Sequence, residues 1–387
     1  QKLVLGSVTD GGGIYVGRYG EGTLTIESGS VVTSKIAVAS GDEKSRGAVY
    51  QRGGDVALSG GYKSDYRNRA SYIGHYGHGY YELSGGTCRL LGQFPIGRSQ
   101  GVFALLGGEV TVAKHFAADG ADGRLYLANE KNGMLYLKNG TFTNEGDMLV
   151  GYSAGYNAAI TLDGPNAHFV QTTSDKPITV GYAAGGTFNI NLNAGVFELA
   201  DGIQVRSSDY SANPIRTYLN FNGGTLKAFH YKSIMNQDVA KGNLSYITVY
   251  EGGMTADIRG QAKVLEPIEQ ATGNGVVSVP LPDGLADMEL TGSPYIFITG
   301  GGGVCAQAYA DFDSQKKRVT GVHVICPGRD YETAPTATFK MGDIELGTSV
   351  CAIAPNKPGS LIKTGDGMLK MQAANSYKGE TVLREGT

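Results

Sequence analysis

The sequence predicts an all-β solenoid of stacked parallel strands carrying a small inserted β-module near its C-terminal end. Three observations predict it. First, a phrase with a leading glycine, alternating hydrophobics, a turn glycine and a second short strand keeps returning: GTLTIESGSVV at Gly22, GAVYQRGGDVAL at Gly47, GYYELSGGTCRL at Gly79, GVFALLGGEVTV at Gly101 and GMLYLKNGTFT at Gly133. Looser copies start at Gly186 and Thr217. The first five starts, 22, 47, 79, 101 and 133, are 25, 32, 22 and 32 residues apart. A strand-turn-strand unit at that period buries its apolar face only against its neighbours. Second, VGRYG from Val16, IGHYGHG from Ile73, PIGRS at 95–99, VGYSAG from Val150 and VGYAAG from Val180 mark one corner of successive coils. Third, LTI, VALS, LYL, FNINL, VFEL and YITV alternate as strands do, and no stretch holds a 3.6-residue apolar period behind a capping box.

Composition narrows the function classes. Glycine accounts for 60 of 387 residues, about twice the usual share, yet 41% hydrophobic residues suffice to build a core. Net charge is −3 and no basic stripe is present, which argues against nucleic acid. KSDYRNR (63–69) and KKR (316–318) read as solvated loops. No apolar run approaches the roughly 20 residues that span a bilayer. Four cysteines without a C-x-x-C spacing give no zinc site, and no cofactor is expected. The chain starts at Gln1 without Met or signal peptide and ends on the strand-like GETVLREGT, so it is expected to be a piece of a longer product.

In chain order, residues 1–270 are assigned to the solenoid coils and 271–299 to connecting strands. The inserted module covers 300–355, with Val-Cys-Ala-x-Ala at 304–308 and again at 350–354, and 356–387 returns to the solenoid. The last segment carries Gly-x-Leu-x-Lys-x-Gly-x-Gly-x-Leu and then Asn-x-Tyr-x-Gly-x-Thr-Val, on Gly359, Leu361, Lys363, Gly365, Gly367, Leu369, Asn375, Tyr377, Gly379, Thr381 and Val382. This order resembles the autotransporter-associated β-strand repeat, and the 300–354 block is similar to a module that accompanies such repeats. The resemblance implies a right-handed parallel β-helix, secreted or displayed on a bacterial cell surface.

GYSAG at 151–155 has the Gly-x-Ser-x-Gly pattern of a hydrolase nucleophile elbow, but the same corner one coil later puts Ala183 where Ser153 stands, so no catalytic role is expected. His75 and His78, with Glu82 beyond, lack a third convergent metal ligand. DGADG at 119–123 reads as a loop tip. A polysaccharide-active enzyme needs paired carboxylates, and Asp163, Glu198 and Asp201 occupy no shared landmark. Tyr72, Tyr76, Tyr80 and Tyr81 form the candidate binding surface, with glycans as its ligands. Cys305 and Cys351 hold equal places in the duplicated strands and are expected to face each other as a disulfide. The resulting expectation is a non-catalytic structural or adhesive surface solenoid, self-associating or continued by a longer chain, with a carbohydrate-active β-helix enzyme as the alternative.

Overall fold

A computed structural model of the chain describes residues 2–5, 13–58, 70–113, 123–206, 212–229, 233–236, 241 and 243–387, with residues 2–5 as backbone only. The 63–69 loop and most of DGADG at 119–123 lie outside the described residues. Three parallel ladders build the solenoid. The first stacks Glu21–Ile26, Arg46–Gln51, His78–Leu83, Gln100–Leu105, the leading halves of Asn132–Asn144 and Asn157–Gln171, Thr187–Leu192, Ile215–Phe221, Asn243–Val249 and Ile268–Gln270. Along it Gly22, Gly47, Gly79, Gly101 and Gly133 stand in direct register, as the repeated phrase requires. The second ladder starts with Ser30–Thr33, Asp55–Leu58, Thr87–Leu90 and Glu109–Val112, and the third stacks Ile14–Val16, Ile36–Val38, Tyr72–Ile73, Gln93–Ile96, Arg124–Leu127, Asp147–Val150, Ile178–Val180 and Ile203–Val205. The coils differ in length chiefly between these two: Thr33 to Ile36 and Leu90 to Gln93 are short connections, Leu58 to Tyr72 and Val112 to Arg124 long ones.

Inward-facing side chains repeat in columns. In the first ladder Leu24, Val49, Tyr81, Phe103, Leu135, Ile160, Ile190, Leu219, Ile247 and Ile268 lie one above the next. In the second, Val56, Cys88, Val110, Phe142, Phe169 and Phe197 do the same. The three phenylalanines stack with centroids 5.7 and 4.8 Å apart. Cys88 therefore stands in a core column as a small apolar residue.

Glycine at the turn between the first two ladders is fixed by the stacking itself. Gly86 has φ +84°, and a Cβ there would lie 2.1 Å from the Gly54 carbonyl oxygen of the coil beneath, which accepts the Thr87 N–H. The corner after the third ladder is also left-handed, at Gly17, Gly74, Gly97, Gly151 and Gly181, but Ala39 and Ala128 adopt it too, at φ 56° and 51°. Those two corners carry no glycine and were missed in the sequence. The copy placed at Gly186 is likewise corrected: Gly133 pairs with Ala158 and Ala158 with Phe188, so a coil starting at Asn157 intervenes and Gly186 precedes the register position by two residues.

The module begins earlier than the sequence suggested. Asn274–Ser278 pairs antiparallel with Ala352–Pro355, Tyr295–Thr299 with Thr336–Met341, and Gln307–Asp313 with Arg318–Cys326. The segment assigned as connecting strands thus supplies strands to the module. The whole packs against the outer face of the first ladder. Ala48, Tyr80, Val102, Met134 and Ala159, the column pointing away from the solenoid core, are buried against Val276, Leu285, Tyr309, Phe312 and Phe339. Polar bonds hold it in place: Tyr50 OH donates to Thr291 O (2.8 Å), Ser314 Oγ to Glu82 Oε1 (2.7 Å) and Gly342 N to Gln100 Oε1 (2.7 Å). Strands covered on both faces lose the alternation of a half-exposed strand. No α-helix occurs among the described residues, and a 3₁₀ turn spans Leu285–Asp287.

Candidate binding stripe

The third ladder is short, and its central residue points away from the solenoid core. Tyr15, Ala37 and Tyr72 share this column, and so do Pro95, Tyr126 and Leu149. The left-handed corner that follows turns its next residues onto the same side, which brings Arg18, Tyr19, His75, Tyr76, Arg98, Tyr152 and Tyr182 beside the column. An aromatic and cationic stripe results, interrupted at Ala37. The Arg18 guanidinium lies over Tyr15 (4.9 Å) and Tyr19 (5.4 Å). His75 is stacked between Tyr72 and Tyr76, with centroids 3.9 and 4.1 Å away. Tyr152 meets Tyr126 edge-on at 6.3 Å and stacks on Tyr182 at 5.4 Å, and Arg206 covers Tyr182 at 3.7 Å. Tyr19 is 74% exposed, Tyr152 52% and Tyr76 42%.

Ion pairs hold the cations in place: Arg98 with Glu130 (2.7 Å), and both Arg124 and Lys176 with Asp147 (2.9 Å each). Burial, with Arg98 and Lys35 adding their charge, pulls the His75 imidazole down to about 4. It is neutral at physiological pH, and its Nε2 accepts a hydrogen bond from Arg98 Nη1 at 2.6 Å. Rigid aromatic faces beside guanidinium donors suit sugar rings, whose apolar faces stack while their hydroxyls or carboxylates accept hydrogen bonds.

This geometry divides the predicted site residues. Tyr76 is exposed in the stripe, whereas Tyr72 is corrected to a buried residue stacked on His75. Tyr80 and Tyr81 are corrected: both are fully buried, Tyr80 beneath the module and Tyr81 in the solenoid core, where it stacks on Phe103. His78 is also fully buried, its nitrogens spent on Gln100 Oε1 (2.6 Å) and Ser293 O (3.0 Å), so it does not converge with His75. Ser153 leads into the strand Asn157–Gln171, where a nucleophile elbow needs a helix. The expected Cys305–Cys351 pair is corrected too. The duplicated strands do not lie side by side: Ala352–Pro355 pairs with Asn274–Ser278, Val304 bridges to Arg329, and the Cys305 sulfur lies 4.0 Å from that of Cys326.

Of the carboxylates, Glu198 pairs with Lys227 (2.9 Å) and Asp201 accepts the Gly202 N–H (2.7 Å). Asp163 accepts from Tyr136 OH (2.8 Å) and Asn193 Nδ2 (2.9 Å). Close to it, a cavity of about 340 Å³ opens between solenoid and module, lined by Tyr136, Lys138, Tyr309, Asp311 and Thr320. Burial pushes the Asp311 carboxyl up against the opposing His323, whose Nε2 is 2.8 Å from Oδ2. Sequence reading missed Asp311 and His323, because no motif links the module to the coil it covers.

The final coils complete the picture. Leu361–Thr364 pairs in parallel with the coil at Met254–Ile258, Met368–Met371 with Gln261–Val264, and Thr381–Leu383 stacks on Leu361–Thr364. Lys363 is 4% exposed, and its Nζ donates to the carbonyls of Thr364, Gly365 and Glu385 at 2.7, 2.7 and 3.1 Å, closing the turn. Asn375 Oδ1 accepts the Ile268 N–H (2.9 Å), and Tyr377 OH meets Thr381 Oγ1 (2.7 Å). Residues 361–387 match the passenger-associated-transport-repeat family. This passenger-associated transport repeat and the solenoid it continues fit an autotransporter passenger-type β-helix. No characterised protein and no solved structure matches the chain at a significant level. No helix among the described residues is long and apolar enough to cross a membrane.

Proposed function

We propose that the chain is a non-catalytic structural and adhesive β-solenoid, secreted or displayed on a bacterial surface as part of a larger passenger or filamentous assembly, and that its tyrosine–arginine stripe binds surface glycans. The observation that carries this reading is the placement of the passenger-associated transport repeat. It is built into the solenoid as its final coils, in register with Met254–Ile258. The stripe supports the adhesive part, since Tyr152 is half exposed and the rings beside it are held by their neighbours.

Polysaccharide binding by titration calorimetry tests it. At roughly 1 kcal/mol for each stacked ring, Tyr152→Ala with Tyr182→Ala weakens glycan binding by about tenfold or more, with the fold unchanged by circular dichroism. Equal affinity of the double variant and the wild type removes the stripe from the reading. A second reading, a carbohydrate-active enzyme, is favoured by one observation: Asp163 and Asp311 near a single cavity. Release of reducing ends or unsaturated sugars, abolished by Asp311→Asn, would establish it instead.

A further inference from the structure

Cys305 and Cys326 lie where the module meets the solenoid. Cys326 ends the strand Arg318–Cys326 and pairs with Gln307, while Val304 and Arg329 bond reciprocally through their backbones at 3.0 Å. These two pairings fix the backbone on either side of both cysteines. Cys305 has φ +72°, a left-handed conformation that costs a residue bearing a Cβ, and such strain persists only where the surroundings enforce it. Its sulfur takes the Asn220 Nδ2 donor at 3.4 Å and lies 3.0 Å from Asn189 Oδ1, both on the solenoid's outer face. Cys326 is 1% exposed and touches Tyr250 OH at 3.5 Å. The two sulfurs are 4.0 Å apart, and Cys305 is the partly exposed one.

We propose that Cys305 and Cys326 are a dithiol site that an external disulfide donor oxidises to an intramolecular disulfide, clamping both arms of the module's hairpin at the solenoid face. The Cys305 thiolate attacks one sulfur of the donor, forming a mixed disulfide and releasing the first donor thiol. The Cys326 thiolate then attacks the Cys305 sulfur and releases the second. Two protein thiols lose two electrons and two protons, and the donor disulfide is reduced to two thiols. Cys88 is excluded by its place in the solenoid core, and among the described residues neither Cys88 nor Cys351 has a second sulfur within the 4.0 Å that separates Cys305 from Cys326. The site requires only a disulfide donor, so it stands independently of glycan binding.

Each cysteine falls in its own tryptic peptide, at 70–89, 264–316, 319–329 and 341–363, the Lys357–Pro358 bond being resistant to trypsin. The folded full chain is incubated with oxidised glutathione, its remaining thiols are alkylated in denaturant, and the peptides are mapped by mass. The site predicts that the free-thiol count falls from four to two, with 264–316 linked to 319–329 and the other two peptides alkylated. Cys326→Ser then holds a stable glutathione adduct on Cys305. A link from Cys305 to Cys351, a lasting glutathione adduct in the wild type, or four alkylated thiols after oxidation each overturn the site. All of these are read on the wild type, so the outcome does not depend on the variant folding.

Discussion

Tyr80→Ala destabilises the chain by about 3–5 kcal/mol, the range for removing a large buried aromatic, and exposes the 274–355 module to protease. Tyr80 is fully buried between solenoid and module. Its ring meets Tyr50 and Phe312 edge-on at 6.4 and 5.6 Å, and its hydroxyl donates to Glu82 Oε2 at 2.9 Å. Truncation opens a cavity at the centre of that interface and leaves the buried Glu82 carboxyl with the Ser314 hydroxyl as its remaining partner. Tyr80→Phe keeps the ring and loses the donor, so it costs about 1–2 kcal/mol. Urea titration gives the stabilities, and timed proteolysis locates the cleavage. If Tyr80→Ala lies within about 1 kcal/mol of wild type and the module stays protected, the module does not depend on this face.

Glu266→Gln stabilises the chain increasingly as pH rises from about 4.5 to 7, by about 3 kcal/mol at the upper limit. Glu266 is fully buried in the turn between Gln261–Val264 and Ile268–Gln270. Burial pushes its carboxyl from an ordinary 4.5 up to about 7, and neither carboxylate oxygen has a hydrogen-bond partner. A folded-state value above the unfolded one means that the folded chain binds the extra proton in that window, so stability falls as pH rises through it. Gln is neutral throughout and does not lose it. His75 and His78, both pulled down to about 4 by burial, act with the opposite sign below 6.5, so variant minus wild type is the quantity to follow. A difference that is flat from pH 4.5 to 8 would show that the carboxyl titrates normally.

The coil register was legible wherever glycine marked it. Gly22 through Gly133 align in direct register because the first-ladder strands start against a tight corner, where a Cβ on Gly79 would sit 2.1 Å from the Gly74 nitrogen. Legibility failed where the constraint relaxed, at Ala158 and Phe188, and where Ala39 and Ala128 accept the strained corner that glycine occupies elsewhere. The burial of Tyr80 was not legible, because its cause lies about two hundred residues downstream: alternation marks it as outward-facing, and only the module's return makes that face an interior. The same long-range packing brings Asp311 near Asp163, while the hairpin of Gln307–Asp313 and Arg318–Cys326 brings Cys305 to Cys326. The exposure of Tyr76 was legible because it belongs to the corner phrase whose repetition defines the solenoid.

The surface assignment is tested most directly by labelling intact cells of the source organism with antibodies raised against the folded chain, before and after external protease and with permeabilised cells beside them. Display as part of a passenger-type assembly predicts labelling of intact cells that external protease removes. Labelling that appears only after permeabilisation, unchanged by protease, would contradict it.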